Sequence, residues 1–185
     1  SPLMDYLATA LAALDIRVIR FEFPYMAERR QSGKKKPPNR APVLLESWQQ
    51  VIAVAGGPEL LFIGGKSMGG RIASMIADEL YAEGRIAGLL CLGFPFHPPN
   101  KPETVRGQQL ATMTCPTLIC QGTRDSFGTA AEVAGYDLSD AIDLHWLDDG
   151  DHDLKPRKRE TGRTLDDHLA ETAQVVADWI KHRAG

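Results

Sequence analysis

Five short apolar runs, separated by stretches of helical periodicity, leave this chain few folds to choose from. They are Ile16–Phe23 (IRVIRFEF), Leu60–Gly64 (LLFIG), Ile86–Gly93 (IAGLLCLG), Thr117–Gln121 (TLICQ) and Ile142–Leu147 (IDLHWL). Bounded by Gly, Pro or Asp, such runs fit strands buried on both faces of a parallel sheet. The helical stretches lie between them. Pro2–Leu14 carries Leu3, Tyr6, Leu7, Leu11 and Leu14 on one face, with Ser1 as cap and Pro2 at the first helical position. Val43–Ala55 is a second helix, stopped by Gly56-Gly57-Pro58. Met68, Ile72, Met75, Ile76 and Leu80 form a third stripe, and Arg106–Met113 reads as a short helix before Pro116. At the end, Thr164 caps a helix with Asp166 and Asp167 in its first turn, and Lys181, His182 and Arg183 at its C-terminus suit the dipole. Strand and helix in alternation imply βαβ units, right-handed crossovers and one mostly parallel sheet with helices on both faces: an α/β fold.

Composition narrows the function. A length of 185 residues is one domain. With 21 Lys plus Arg against 24 Asp plus Glu, the net charge of −3 is not the basic footprint of a nucleic-acid binder. The most apolar stretch, Ile86–Phe96, is too short to span a bilayer and contains Gly88, Gly93 and Pro95. No basic-then-apolar segment opens the chain as a secretory signal would. Cys91, Cys115 and Cys120 do not pair off into a disulfide framework and read as reduced thiols of a cytoplasmic protein. With no Cys-x-x-Cys and no His-x-x-x-His, neither a metal nor a cofactor is expected. Two basic stretches, Gly33–Arg40 and Lys155–Arg163, read as solvated loops.

The chemistry concentrates in Leu60–Ser74, LLFIGGKSMGGRIAS, which runs strand, Gly-rich turn, helix. Gly65-Lys66-Ser67 spells the end of a phosphate-binding loop, but Leu60 stands where that motif needs its first Gly. Gly65-Lys66-Ser67-Met68-Gly69 instead spells G-x-S-x-G, the nucleophile elbow. There a serine sits on a sharp, strained turn with its hydroxyl above the sheet. Gly65 and Gly69 are expected to be small because strand and helix pack closely, with Gly70 adding clearance. A serine hydroxyl needs a base, and the base needs an orienting acid. In chain order both follow later strands. Thr117–Gln121 runs into Asp125, and Ile142–Leu147 runs into His152. All three lie beyond the C-terminal ends of strands, where open parallel sheets place their sites. His152 is preferred over His97, His145, His168 and His182, while Asp149, Asp151 and Asp153 remain rival acids. Arg71 and Arg124 flank the site in sequence, as anion-attracting groups or as framework ion pairs.

Taken together, GGKSMGGR, QGTRDSFGT and DGDHDLKPRKR resemble the α/β-hydrolase superfamily. More narrowly, they resemble its branch of small predicted hydrolases related to dienelactone-hydrolase-like proteins. That branch includes a relative found in a chromatin-associated acetyltransferase complex. The resemblance covers essentially the whole chain. It implies Ser67 as nucleophile, His152 as general base and Asp125 as the acid holding the imidazole, with the Met68 N–H as one oxyanion-hole donor. The implied reaction is cleavage of an ester, thioester or related acyl bond of a small-molecule substrate through an acyl-enzyme. The rival is a hydrolase-fold interaction protein with a weak or idle site. The resemblance also implies a strand and a His-Gly-type loop just before the first helix, the strand lying in the sheet between Ile16–Phe23 and Leu60–Gly64 and the loop giving the second oxyanion donor. Neither is found after Ser1, so a single domain over residues 1–185, lacking its N-terminal strand and oxyanion loop, is expected. The 58 positions between Ser67 and Asp125 leave no room for a large lid. Phe94, Phe96, His97 and Phe127 are candidates to line an acyl pocket.

Overall fold

The computed structural model describes residues 1–55 and 60–184. Strands β1 (Phe62–Lys66), β2 (Gly88–Leu92), β3 (Thr117–Gly122) and β4 (Ile142–Leu147) form one parallel sheet in the order β1-β2-β3-β4. The helices are α1 (Pro2–Ala12), α2 (Pro24–Ser32), α3 (Ala41–Ala55), α4 (Met68–Ser74), α5 (Ala77–Ala82), α6 (Ala130–Val133), α7 (Lys158–Thr161) and α8 (Leu165–Ala184). The expected stop at Gly56-Gly57-Pro58 lies outside the described residues.

The two-residue period of the strands divides their side chains between two cores. Ile63, Leu89, Cys91 and Ile119 enter the core shared with α3, α4 and α5. Leu92, Leu118, Cys120 and Leu147 point the other way, into the core closed by α1 and α8. This explains why the runs read as almost wholly apolar. Fully buried side chains such as Leu89, Ile119 and Leu147 (each 0% exposed) contribute roughly 1.5–3 kcal/mol apiece. Among the described residues, no helix is long and apolar enough to cross a membrane. Between β2 and β3 the only regular element is a 3₁₀ turn, Gln108–Ala111, so no helical lid stands there.

Several sequence expectations are corrected. Ile16–Phe23 is not a strand. A strand needs a ladder, and this segment pairs with no other among the described residues. Phe21 and Phe23 pack edge-on to each other, with Phe21 also edge-on to Trp48 of α3, while Val18 and Ile19 are exposed. The single helix expected from Met68 to Leu80 is two. Ser74 Oγ donates to the Arg71 carbonyl (2.7 Å), which bends the helix, and accepts from Gln109 Nε2 (2.7 Å). The restart as α5 lets Asp78 accept from the backbone N–H groups of Thr114 and Cys115 (2.9 and 2.8 Å). The helix expected at Arg106–Met113 shrinks to the 3₁₀ turn, and the loop expected at Lys155–Arg163 contains the short α7. α2, expected by nothing in the apolar pattern, begins at Pro24.

Candidate active site

The turn from β1 to α4 sets the first side chain. Ser67 has φ 54° and ψ −119°, a conformation that costs a non-glycine residue of order 1–3 kcal/mol. The turn is held from both sides: Ser67 N–H donates to the Leu92 carbonyl (2.9 Å), and its own carbonyl accepts from Arg71 N–H (3.1 Å). The clearances differ from the expectation at one position. A Cβ on Gly65 would lie 2.9 Å from the Gly69 carbonyl carbon, and one on Gly70 would lie 2.7 Å from the Gly65 oxygen and 3.1 Å from Cys91 Sγ. A Cβ on Gly69 would meet nothing within 4 Å. The close approach of helix to strand is therefore made by Gly65 and Gly70, not Gly69.

The loops after β3 and β4 supply the other two groups and are laced together. Thr123 N–H donates to the Leu147 carbonyl (3.0 Å), Arg124 N–H to the Gly150 carbonyl (2.9 Å) and Asp149 N–H to Thr123 Oγ1 (2.8 Å). Gly122 lets them touch: a Cβ there would sit 2.2 Å from the Gly150 oxygen.

These loops bring Asp125 and His152 to Ser67. His152 Nε2 is 2.8 Å from Ser67 Oγ, and His152 Nδ1 is 2.9 and 3.1 Å from the two Asp125 oxygens. A carboxylate only accepts, so Nδ1 carries the proton and Nε2 is left to accept from the serine hydroxyl. Asp125 is fully buried (0% exposed), and its oxygens also accept from Phe127 N–H (2.8 Å) and Gln121 Nε2 (3.0 Å). The Phe127 ring lies against His152, centroids 4.1 Å apart, and fixes the plane of the imidazole. Met68 is the first residue of α4, where a backbone N–H has no acceptor within its own helix.

The rival acids are each otherwise engaged. Asp149 takes the Arg157 side chain (2.5 and 3.0 Å) and backbone N–H (2.7 Å), and these bonds hold its carboxyl far below the usual carboxylate range. Asp151 accepts from the backbone of Asp153 and Lys155. Asp153 pairs with Lys66 (3.1 Å), a link between the nucleophile turn and the histidine loop. Two other histidines serve the framework. His145 pairs with Glu171 (2.8 Å), and His168 Nδ1 donates to the Leu154 carbonyl (2.8 Å). Arg124 is likewise a framework group, 3.4 Å from Asp149. Arg71 is half-buried, and its burial, reinforced by the charge of Arg106, lowers its pKa.

Of the four residues considered for an acyl pocket, three face inward. Phe94, Phe96 and His97 are 0–2% exposed. The two phenylalanines belong to the core on the α4 side, their rings 4.9 Å apart. The loop after β2 folds in because His97 N–H donates to the Phe127 carbonyl (3.1 Å) and Arg106 N–H to the Phe96 carbonyl (2.6 Å). Phe96 also borders a cavity of about 170 Å³ with Arg106, Leu110, Tyr136 and Leu138. Phe127 packs on His152, and its N–H reaches Asp125. Gln121 was missed. The signal was a lone amide closing an otherwise apolar strand, TLICQ. Among the described residues, no group of His, Cys, Asp and Glu is arranged to hold a metal ion.

The model of the alpha/beta hydrolase domain matches residues 1–181. The chain belongs to the alpha/beta hydrolase family. Solved structures agree on the fold. An alpha-beta serine hydrolase homologue from Coxiella burnetii superposes with a TM-score of 0.64 at 16% identity, covering 95% of this chain and 74% of that one. The esterase domain of a Rhodothermus marinus protein gives 0.66 at 17% identity, covering 99% and 81%. A serine hydrolase without lid from Xanthomonas campestris gives 0.62 at 19% identity, covering 94% and 71%. In this chain, as in open parallel sheets generally, the strands' C-terminal ends carry the residues described above.

Proposed function

We propose that this chain is a serine hydrolase cleaving an ester, thioester or related acyl bond of a small-molecule substrate. Ser67 is the nucleophile, His152 the general base and then acid, and Asp125 the group that fixes the imidazole. The observation carrying the reading is the unbroken hydrogen-bonded chain from Ser67 Oγ through His152 to the buried Asp125. In the first half-reaction Ser67 Oγ attacks the acyl carbon as its proton passes to His152 Nε2. The Met68 N–H donates to the developing oxyanion. The tetrahedral intermediate collapses, the proton moves from His152 to the leaving group, and an acyl-Ser67 remains. Water, deprotonated by His152, then adds to the acyl carbon, and the acid leaves as His152 returns the proton to Ser67 Oγ. The esterase character of the Rhodothermus marinus domain supports an acyl ester as the substrate class. Three free, buried cysteines support a reducing, cytoplasmic setting.

The test compares Ser67→Ala with the parent on p-nitrophenyl butyrate, with a fluorophosphonate probe alongside. The expected result is loss of labelling and a fall in kcat of about 10⁴-fold or more. Equal labelling and turnover in both proteins would refute the reading. A parent that takes no probe but co-purifies with a protein partner would favour an interaction role for the fold.

A further inference from the structure

We propose that Gln121 is a positioning residue that clamps Asp125 and the loop after β2 into the geometry the Ser67–His152 pair requires. The inference rests on the hydrolase reading above and extends it to a side chain that touches neither the nucleophile nor the base.

Gln121 closes β3 and is fully buried (0% exposed), so every polar atom of its amide needs a protein partner. Its orientation is determined by chemistry. Phe94 N–H lies 2.7 Å from one end of the amide and only donates, so that end is the oxygen, Oε1. Nε2 then faces three acceptors: Asp125 Oδ2 (3.0 Å), the Phe94 carbonyl (3.2 Å) and the Gly128 carbonyl (3.2 Å). One neutral side chain thus ties the exit of β2 to the acid and to the turn that follows it.

The consequence for Asp125 is rotational. Its two oxygens straddle His152 Nδ1, and Oδ1 is held by Phe127 N–H. Without the bond to Oδ2, one fixed point remains and the carboxylate can swing away from the imidazole. The ring would then lose the partner that keeps the proton on Nδ1. A residue that only filled space at position 121 would not govern that proton. An amide suits the place because it donates to a carboxylate at every pH.

Gln121→Glu tests this, because a carboxyl of the same shape donates only while protonated. Burial favours its neutral form at low pH, where its O–H still reaches Asp125 and its carbonyl still accepts from Phe94 N–H. As pH rises it ionises against Asp125, and the donor becomes a second negative charge. The other charged groups nearby keep their partners in both proteins: Arg124 with Asp149, Glu132 opposite His97, and Lys66 with Asp153. The expected result is a ratio of variant to parent kcat that falls about tenfold or more between pH 6 and pH 9, with KM little changed. Gln121→Met, apolar at every pH, lowers kcat by a factor independent of pH. Thermal unfolding confirms that each variant is folded. A second readout needs no turnover: the downfield proton resonance of His152 Nδ1–H, which in both variants at pH 8 shifts upfield or broadens relative to the parent. An undiminished kcat in Gln121→Met, or an unchanged resonance in that variant, overturns the proposal. A parent that hydrolyses no ester would count against the hydrolase reading instead, and the resonance would still decide the role of Gln121.

Discussion

Gly69 and Gly70 are neighbours on the same turn of α4, yet alanine is expected to act oppositely at each. Both positions are helical, so removing the backbone freedom of glycine stabilises the fold by about 0.5–1 kcal/mol at either one. At Gly69 nothing opposes the gain, since a Cβ meets no atom within 4 Å. For a domain of this size that is a Tm rise of about 1–4 °C. At Gly70 the added methyl falls 2.7 Å from the Gly65 oxygen, a backbone atom of the nucleophile turn, and 3.1 Å from Cys91 Sγ on the buried strand β2. Neither can retreat freely. Overpacking of this kind costs about 1–3 kcal/mol and offsets the propensity gain. The net is a Tm fall of up to about 8 °C. The helix must also move off the strand. That shifts Ser67 relative to His152, where the contact is 2.8 Å, and misplacement of order 1 Å costs about 100-fold in rate. Differential scanning fluorimetry and ester turnover on Gly69→Ala and Gly70→Ala measure both effects. Equal Tm shifts in the two variants, or a larger loss in Gly69→Ala, would refute the packing argument.

Two further outcomes follow from the electrostatics. Asp149 has its pKa lowered by Arg157, so its stabilising contribution is complete above about pH 4 and is lost as pH falls towards its depressed native value. The Tm advantage of the parent over Asp149→Asn should therefore hold from pH 7 to pH 5 and shrink towards pH 3; a constant difference would contradict the assignment. Burial pushes the thiols of Cys115 and Cys120 up to about 12 and raises that of Cys91 further. At pH 8 a dithionitrobenzoate assay should label no cysteine in the native protein and all three in urea; labelling of the folded chain would show that the core opens readily.

What was legible in the sequence was what local chemistry dictates. The four strands that pair do so within a few residues of the apolar runs, because parallel strands buried on both faces must be apolar throughout. Gly65-Lys66-Ser67-Met68-Gly69 located the turn because a strained serine between strand and helix needs close packing, which Gly65 and the adjoining Gly70 allow. Hidden were the features set by distant partners. Ile16–Phe23 has the composition of a strand, but a ladder belongs to two segments, and no pattern within one reports the other. Phe94 and Phe96 read as pocket residues because the loop after β2 leads towards Ser67. The hydrogen bonds of the loop to Phe127, Arg106 and Gln121 turn those rings into the core. α2, PYMAERRQS, is too polar to show an apolar stripe, and Pro24 with Gly33 at its ends was its sole signal. Gly69 and Gly70 are alike in sequence and differ only in which way the helix turns them.

The order of strands in the sheet is also their order along the chain, and this has a consequence for how the protein is made. Ser67 leaves the first strand and His152 follows the last, 85 positions later. A ribosome therefore releases Ser67 long before the imidazole proposed to activate it. The histidine loop is in turn anchored by His168 of α8, the final helix. Under the proposed roles, Ser67 stays without its base until the segment through His152 has emerged and folded. Docking of α8 would then fix the loop that carries the proposed base.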